Sequence, residues 1–257
     1  MQNERRVPGE AGEEQLAGGN ASGSVVRVGD TVRKAWTAST PSVVAFVDAL
    51  RVQGIDAPEP RGRDERGRQV TEFVDGPLAI DAGPLDRAQL HRVGAMVRRI
   101  HDAAAEFTPA DDARWETAIA APGAELVCHN DHAPWNLVLG ERWVFIDWDA
   151  AAPSTRVWDL AYAAQSFALG DPGDDVDVAA GRLRAFVDGY GASAVLRGAL
   201  PDEMTERVAA MHALLETSHR AGREPWATMF VEGHGAYWAA VHDFVDRHRL
   251  AWARALS

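Results

Sequence analysis

Between Leu126 and Leu160 the chain reads LVCHNDHAPWNLVLGERWVFIDWDAAAPSTRVWDL. Polar residues stand there at the ends of short apolar runs. His129, Asp131 and Asn136 follow Leu126–Cys128, and Asp147 and Asp149 end the run Trp143–Ile146. The run Leu137–Leu139, the turn Gly140-Glu141 and the run Trp143–Ile146 spell a tight β-hairpin with acids and an amide at its base. Oxygen donors at the ends of buried strands suit a hard divalent cation. A carboxylate on the adjoining loop suits the deprotonation of a hydroxyl. Asn beside Asp fits Mg²⁺ better than Zn²⁺, which takes His and Cys. Three such groups would be expensive to leave in an apolar setting without partners.

Phosphoryl transfer from a nucleoside triphosphate needs a metal, a base, a cation on the phosphates and a cover over them. Asp131 is placed to be the base, and Asn136 and Asp147 converge on the metal. Lys34 is the chain's one lysine. It falls on a predicted strand, two residues after Val32 and so on the same face, and reads either as a solvated edge-strand lysine or as a cation that reaches inward to a phosphate. Arg33 points the other way. Gly18 to Gly23, just before a predicted strand at Ser24 to Val28, reads either as a phosphate cover or as a plain linker.

The elements around these residues follow from pattern and punctuation. Residues 1–14 carry almost nothing apolar and read as a tail. Gly29-Asp30 turns the first strand into a second, Thr31 to Trp36. Thr40-Pro41 opens a helix to about Gln53. Arg61 to Arg68 reads as a solvated turn before a strand at Gln69 to Val74, and Asp75-Gly76-Pro77 marks a boundary. Helices are expected from Asp86 to Phe107, with His101 beside its apolar face as a core residue. Others follow at Asp159 to Leu169, Val178 to Gly189, Asp202 to Gly222 and Pro225 to about Leu256. Residues 108–125 read as a loop that Trp115 pins to the core. Strands first and helices after give an α+β fold with two lobes, a small sheet-rich lobe over residues 1–76 and a helical lobe over 77–257.

The chain has 257 residues, 46% hydrophobic and 25% charged, which suits a soluble protein with a sizeable core. A net charge of −12 argues against nucleic acid or an anionic membrane as partner. It is compatible with a cationic small substrate. The single cysteine, Cys128, excludes a disulfide framework and fits a reducing compartment. No apolar run reaches the length of a membrane span, and the expected location is the cytoplasm.

The arrangement His129-x-Asp131-x-x-x-x-Asn136, then Ile146-Asp147-Trp148 and Asp159-Leu160-Ala161, resembles the aminoglycoside phosphotransferase and choline kinase group, whose fold is protein-kinase-like. The resemblance implies ATP or GTP bound between the lobes, Mg²⁺, and transfer of the γ-phosphoryl group to a small-molecule hydroxyl by a monomer or homodimer. By that likeness Asp131 is the base, His129 braces the loop, and Asn136 and Asp147 bind metal. Asp149 is a further metal acid, and Asp159 holds the loop from a buried position. Lys34, Gly19, Ser22 and Gly23 would meet the phosphates. A hinge at Thr71 to Val74, including Glu72 and Val74, would meet the base.

The chain departs from the group's pattern in three places. The lysine's expected glutamate partner is missing from the first helix, where Asp48 is the stand-in. His132 sits beside the base, where it could touch the acceptor. Trp148-Asp149 stands where protein kinases have Phe-Gly. The resemblance also sets the acceptor site on the last helices, where Glu216, Glu224, Glu232 and Asp243 read as solvated faces from which one or two acids would bind an amine. Two other readings stay open. One is a nucleotide-binding protein without transfer activity. The other is a metal-dependent hydrolase built on Asp131, Asp147 and Asp149.

Overall fold

The structure, a computed structural model, describes residues 12–16 and 25–257. Gly19, Ser22 and Gly23 lie outside the described residues. The first elements are β1 (Glu14–Gln15), β2 (Val26–Val28) and β3 (Thr31–Lys34), then helix α1 (Thr40–Val52), β4 (Pro60–Arg63) and β5 (Gln69–Glu72). The strands form one antiparallel sheet in the order β1-β2-β3-β5-β4. The expected tail therefore ends too late. Glu14 pairs with Arg27 in the sheet, and the Glu13 carboxylate meets Arg66 at 2.9 Å and Arg68 at 2.8 Å. The run Arg61 to Arg68 is also more than a turn, because its first half is strand β4.

Helix α1 begins at Thr40 with Pro41 in its first turn, where the missing N–H costs nothing. Its buried face is Val43, Phe46, Val47 and Leu50. The chain leaving β5 then lies along the central hairpin, formed by β7 (Leu137–Leu139) and β8 (Trp143–Phe145). Leu139 N–H donates to Pro77 C=O, and Ala79 N–H to Leu137 C=O, each at 2.8 Å. A Cβ on Gly140 would lie 2.3 Å from the Asp75 carbonyl oxygen, so the hairpin turn and the linker touch backbone to backbone.

Helix α2 (Arg87–Ala104) starts at Asp86, whose carboxylate accepts from Gln89 N–H while the Gln89 side chain accepts from Asp86 N–H. Loop 108–125 leads to β6 (Leu126–Cys128), which pairs with β9 (Ala152–Ser154). Trp115 packs, partly buried, against the core. The other helices are α3 (Arg156–Ala168), α4 (Val176–Tyr190), α5 (Ala194–Ala221), α6 (Trp226–Met229), α7 (Gly235–Arg247) and α8 (Arg249–Leu256). Helix α3 is buried from Trp158 to Ala168 and forms the centre of the core. Two expectations change here. Helix α5 begins eight residues before Asp202 and carries Pro201 inside it. The last helix is broken at residues 230–234, where Gly233 takes φ +112°, and again after Arg247.

Candidate functional site

The hairpin sets the geometry. Its first residue pair is Leu137 with Phe145, and Ile146 N–H donates to Asn136 C=O at 2.9 Å. Asn136 and Asp147 therefore stand at neighbouring ends of the two strands. The Asn136 amide nitrogen donates to the Asp131 carboxylate at 2.8 Å and to its carbonyl at 3.0 Å. The amide thus gives its donors to Asp131 and leaves its oxygen for another partner.

Asn130 (φ +62°) and Asp147 (φ +58°) are the two non-glycine residues with left-handed backbone among the described residues. Such backbone costs about 1–3 kcal/mol and persists where surrounding contacts hold it. Around Asn130 those contacts are clear. Its N–H donates to Asp159 at 2.6 Å, and its side-chain amide reaches the Ala150 and Ala152 carbonyls, both at 3.2 Å. Asp159 also accepts from His101 Nε2 at 2.8 Å and His132 Nδ1 at 2.9 Å. Despite its complete burial, these donors hold its carboxyl well below the usual carboxylate range. Burial lowers the pKa of His101, whose Nδ1 accepts from the Tyr190 hydroxyl at 2.9 Å. The expected loop anchor at Asp159 and the core reading of His101 both fit this arrangement.

His129 accepts from Asp131 N–H through Nδ1 at 3.2 Å, so its Nε2 carries the proton and donates to Ile146 C=O at 3.1 Å. Burial drives its pKa down to about 3, and the ring is neutral. One imidazole thereby ties the loop residue Asp131 to the strand end before Asp147. His132, expected beside the base where it could touch an acceptor, is turned into the core instead. It is fully buried, donates to Asp159 and packs at 4.5 Å against the Phe145 ring. Its side chain follows the apolar packing below the loop.

Lys34 Nζ stands 3.0 Å from Asp147 and 2.7 Å from Asp149, across 113 residues of sequence to Asp147. Burial works against its charge, but the two carboxylates more than offset this and raise its pKa above the ordinary lysine value. Lys34 in turn holds the Asp147 carboxyl below its usual range. Asp48 is exposed and is not the partner of Lys34. On α1 it points away, because the inward face is taken by Phe46 and its neighbours. Phe46 packs edge-on against Trp148 at 5.9 Å, so α1 meets the Asp147–Asp149 turn through rings rather than through an ion pair. A cavity opens there, bounded by Lys34, Val44, Gln69, Thr71, Asp147 and Asp149.

Burial, with the Asp147 charge second, pushes the Asp131 carboxyl up to about 6. On its far side lie groups that the sequence patterns did not single out. Tyr162 is buried and near enough to counter part of that rise. Trp135 stands edge-on to Tyr162 at 6.5 Å, Trp238 stacks on it at 6.3 Å, and the Arg207 guanidinium lies 4.1 Å from its ring centre. Tyr162, Trp238 and Arg207 lie on helices and Trp135 in the loop, and nothing local in the sequence marks them as neighbours of Asp131. The acids expected near an amine are occupied elsewhere or exposed. Glu216 pairs with Arg220, Asp243 with Arg247, Glu224 accepts from Thr228 N–H at 3.1 Å, and Glu232 is exposed. In the expected hinge, Glu72 meets Arg142 and Val74 is buried against Val138 and Val144.

Residues 110–198, which hold this loop and hairpin, match the model of the phosphotransferase enzyme family. The trifolitoxin immunity protein of Rhizobium leguminosarum bv. trifolii is 30% identical over 230 residues, 82% of this chain and 85% of that protein. The chain belongs to the phosphotransferase enzyme family. Solved kinases share its fold. A choline/ethanolamine kinase family protein from Mesorhizobium loti aligns with TM-score 0.59 at 18% identity, covering 97% of this chain and 96% of that one. A microcompartment-associated aminopropanol kinase aligns at 0.66 and 16%, covering 96% and 95%. An amicoumacin kinase in complex with AMP-PNP, Ca²⁺ and Ami aligns at 0.69 and 13%, covering 91% and 88%. This chain is thus a mixed α+β member of the phosphotransferase enzyme family. No helix among the described residues is long and apolar enough to cross a membrane.

Proposed function

We propose that this phosphotransferase moves the γ-phosphoryl group of a nucleoside triphosphate, ATP or GTP, to a hydroxyl of a small molecule. One observation carries the reading. A buried lysine from the sheet reaches both acids at the end of the central hairpin, while the amide at the hairpin's other end orients a third acid. Asp131 takes the acceptor hydroxyl's proton as its oxygen bonds to the γ-phosphorus, and the bond to the β–γ bridging oxygen breaks to release the nucleoside diphosphate. His129 fixes the peptide of Asp131. Lys34 turns from the acids to the phosphates when nucleotide enters. The cover is Gly18 to Gly23, through Gly19, Ser22 and Gly23.

Mg²⁺ fits the donor set. The Asn136 amide oxygen and the Asp147 and Asp149 carboxylates are all hard oxygen ligands, and the Asn136 nitrogen is already turned to Asp131. The ion would neutralise phosphate charge. Residues 1–76 would form the nucleotide lobe and 77–257 the acceptor lobe, with Glu72 and Val74 at the hinge. Val74 makes no backbone hydrogen bond among the described residues, which leaves its peptide groups for an adenine or guanine edge. The acceptor class is an aminoglycoside, a choline-like amino alcohol, a sugar or a similar metabolite, and ATP supply sets the reaction in the cytoplasm.

The test is a mass-spectrometric screen of such hydroxyl compounds with MgATP and MgGTP. An acceptor heavier by one phosphoryl group supports the reading. Nucleotide-raised melting temperature with no transfer and no slow hydrolysis supports a binding protein instead, and turnover without nucleotide supports a hydrolase. The relative named as an immunity protein favours a second reading of the acceptor, in which the hydroxyl belongs to a toxin. Expression that protects cells from such a toxin, and loses the protection with Asp131→Asn, supports that reading.

A further inference from the structure

Arg207 is the most unusual charge in the molecule. It lies on α5 among Met204, Val208 and Met211, on the stripe that faces the core, and is only 5% exposed. Among the described residues it forms no ion pair. Its Nη2 donates to the Asn130 carbonyl at 3.3 Å, its Nη1 is buried without a hydrogen-bond partner, and its guanidinium lies over the Tyr162 ring. Burying a cation without a direct counter-ion is strongly unfavourable. An apolar side chain in this stripe would serve packing alone at least as well.

What the cation does hold is the peptide carbonyl of Asn130, the residue before Asp131. Asn130 has a left-handed backbone, and its N–H is fixed from the other side by Asp159. Asn130 is therefore held at both of its peptides, its N–H by an acid from α3 and its C=O, in the peptide that enters Asp131, by a cation from α5. The same cation seats Tyr162, the ring next to the Asp131 carboxylate.

We propose that Arg207 is a positioning residue that aims Asp131 at the acceptor oxygen through Asn130 and Tyr162, and that α5 carries a buried cation for this purpose rather than for stability. The inference rests on the phosphotransferase reading for its catalytic part and on the loop geometry alone for its structural part. A misaimed base loses rate without losing nucleotide affinity.

The experiment compares Arg207→Met and Arg207→Lys with the wild-type full chain. Slow ADP release from MgATP alone, with water as acceptor, is measured beside thermal melting. Hydrogen–deuterium exchange is followed over residues 129–136. In Arg207→Met the melting temperature is expected to hold or rise, because an apolar side chain of similar volume replaces an unpaired buried cation. Its kcat should fall about 10- to 100-fold with KM for MgATP unchanged, and exchange in the loop should rise while that of α2 and α4 stays the same. Arg207→Lys keeps the charge but not the flat fork, and it should restore only part of the rate. Wild-type kcat and loop protection in Arg207→Met would overturn the proposal. So would a large fall in melting temperature in both variants, which would make Arg207 a structural residue. If the wild type neither releases ADP nor phosphorylates any compound of the acceptor screen, the phosphotransferase reading fails instead, and the exchange result still decides whether Arg207 holds the loop.

Discussion

Lys34, Asp147 and Asp149 form a closed set of charges within a single cleft. Each carboxylate side chain is 37% exposed while the lysine is 10% exposed, so solvent screens the acids more than the amine. Lys34→Met leaves two facing acids with no cation between them. It is expected to lower stability by about 1–3 kcal/mol, less than for a fully buried pair because of that screening. It should also abolish the rise in melting temperature on adding MgATP. A variant that still responds to MgATP like the wild type would remove Lys34 from the nucleotide site. The sequence showed these residues well. Lys34 stood out as the lone lysine on an alternating strand, and Asp131, Asn136 and Asp147 by spacing. The lysine's partner did not show, because its acids come from a turn more than a hundred residues away. Asp48 was merely the one acid on the first helix. Arg207 was hidden for the opposite reason, since a charge on an apolar helical stripe looks like an outlier until its contacts to the loop are known.

At the level of elements, the β7–β8 hairpin carries the site because both of its ends are fixed. His129 bridges the loop to Ile146, and the linker after β5 lies against the hairpin's turn. Gly140 permits that contact, with its missing Cβ aimed at the Asp75 carbonyl. Gly140→Ala is expected to cost about 1–3 kcal/mol in urea denaturation, the usual penalty for overpacking. An unchanged midpoint would mean that the linker can move aside. The hairpin was legible to within one residue, because short apolar runs and a Gly-containing turn are local signals. Strand β9 was not, since its only partner, β6, is a short strand 23 or more residues earlier. The start of α5 was obscured by Pro201, which reads as a boundary. The helix accommodates it, and the Thr205 hydroxyl takes up the Pro201 carbonyl at 3.1 Å.

The whole molecule folds around a buried polar network beneath the catalytic loop, with His101, His132 and Asn130 all on Asp159. This makes acid stability a test of the fold. His101 and His129 are held neutral, with pKa values below the histidine value of 6.5, and that of His129 reaches about 3. A group whose pKa is lowered by folding stabilises fully above its unfolded value and loses that contribution as pH falls toward the folded one. Stability should therefore be flat from pH 8 to 7. Below about pH 6.5 it should decline by about 1.4 kcal/mol per pH unit for each such histidine, offset in part below about pH 6 by Asp131, whose raised carboxyl takes up its proton more readily in the fold than in the unfolded chain. Asp159 adds its own loss only below the ordinary carboxylate range. Melting temperatures that stay constant from pH 7 to 4.5 would contradict the neutral, buried state of both rings. The strand-rich first part and the helical remainder could be read from composition and punctuation. The close approach of α2 and α4 could not, because it depends on Gly94 and Gly189, where a Cβ would come within 2.0 Å and 1.9 Å of a facing carbonyl oxygen.

The central claim is that Asp131 takes the proton of an acceptor while Lys34, Asn136 and Asp147 handle nucleotide and metal. The most direct measurement pairs the rate of phosphoryl transfer from MgATP in Asp131→Asn with nucleotide affinity by calorimetry on the same preparation. The expected result is a transfer rate about 10²–10⁴-fold below wild type with MgATP affinity little changed. Full transfer in Asp131→Asn, or loss of MgATP binding with the rate, would contradict it.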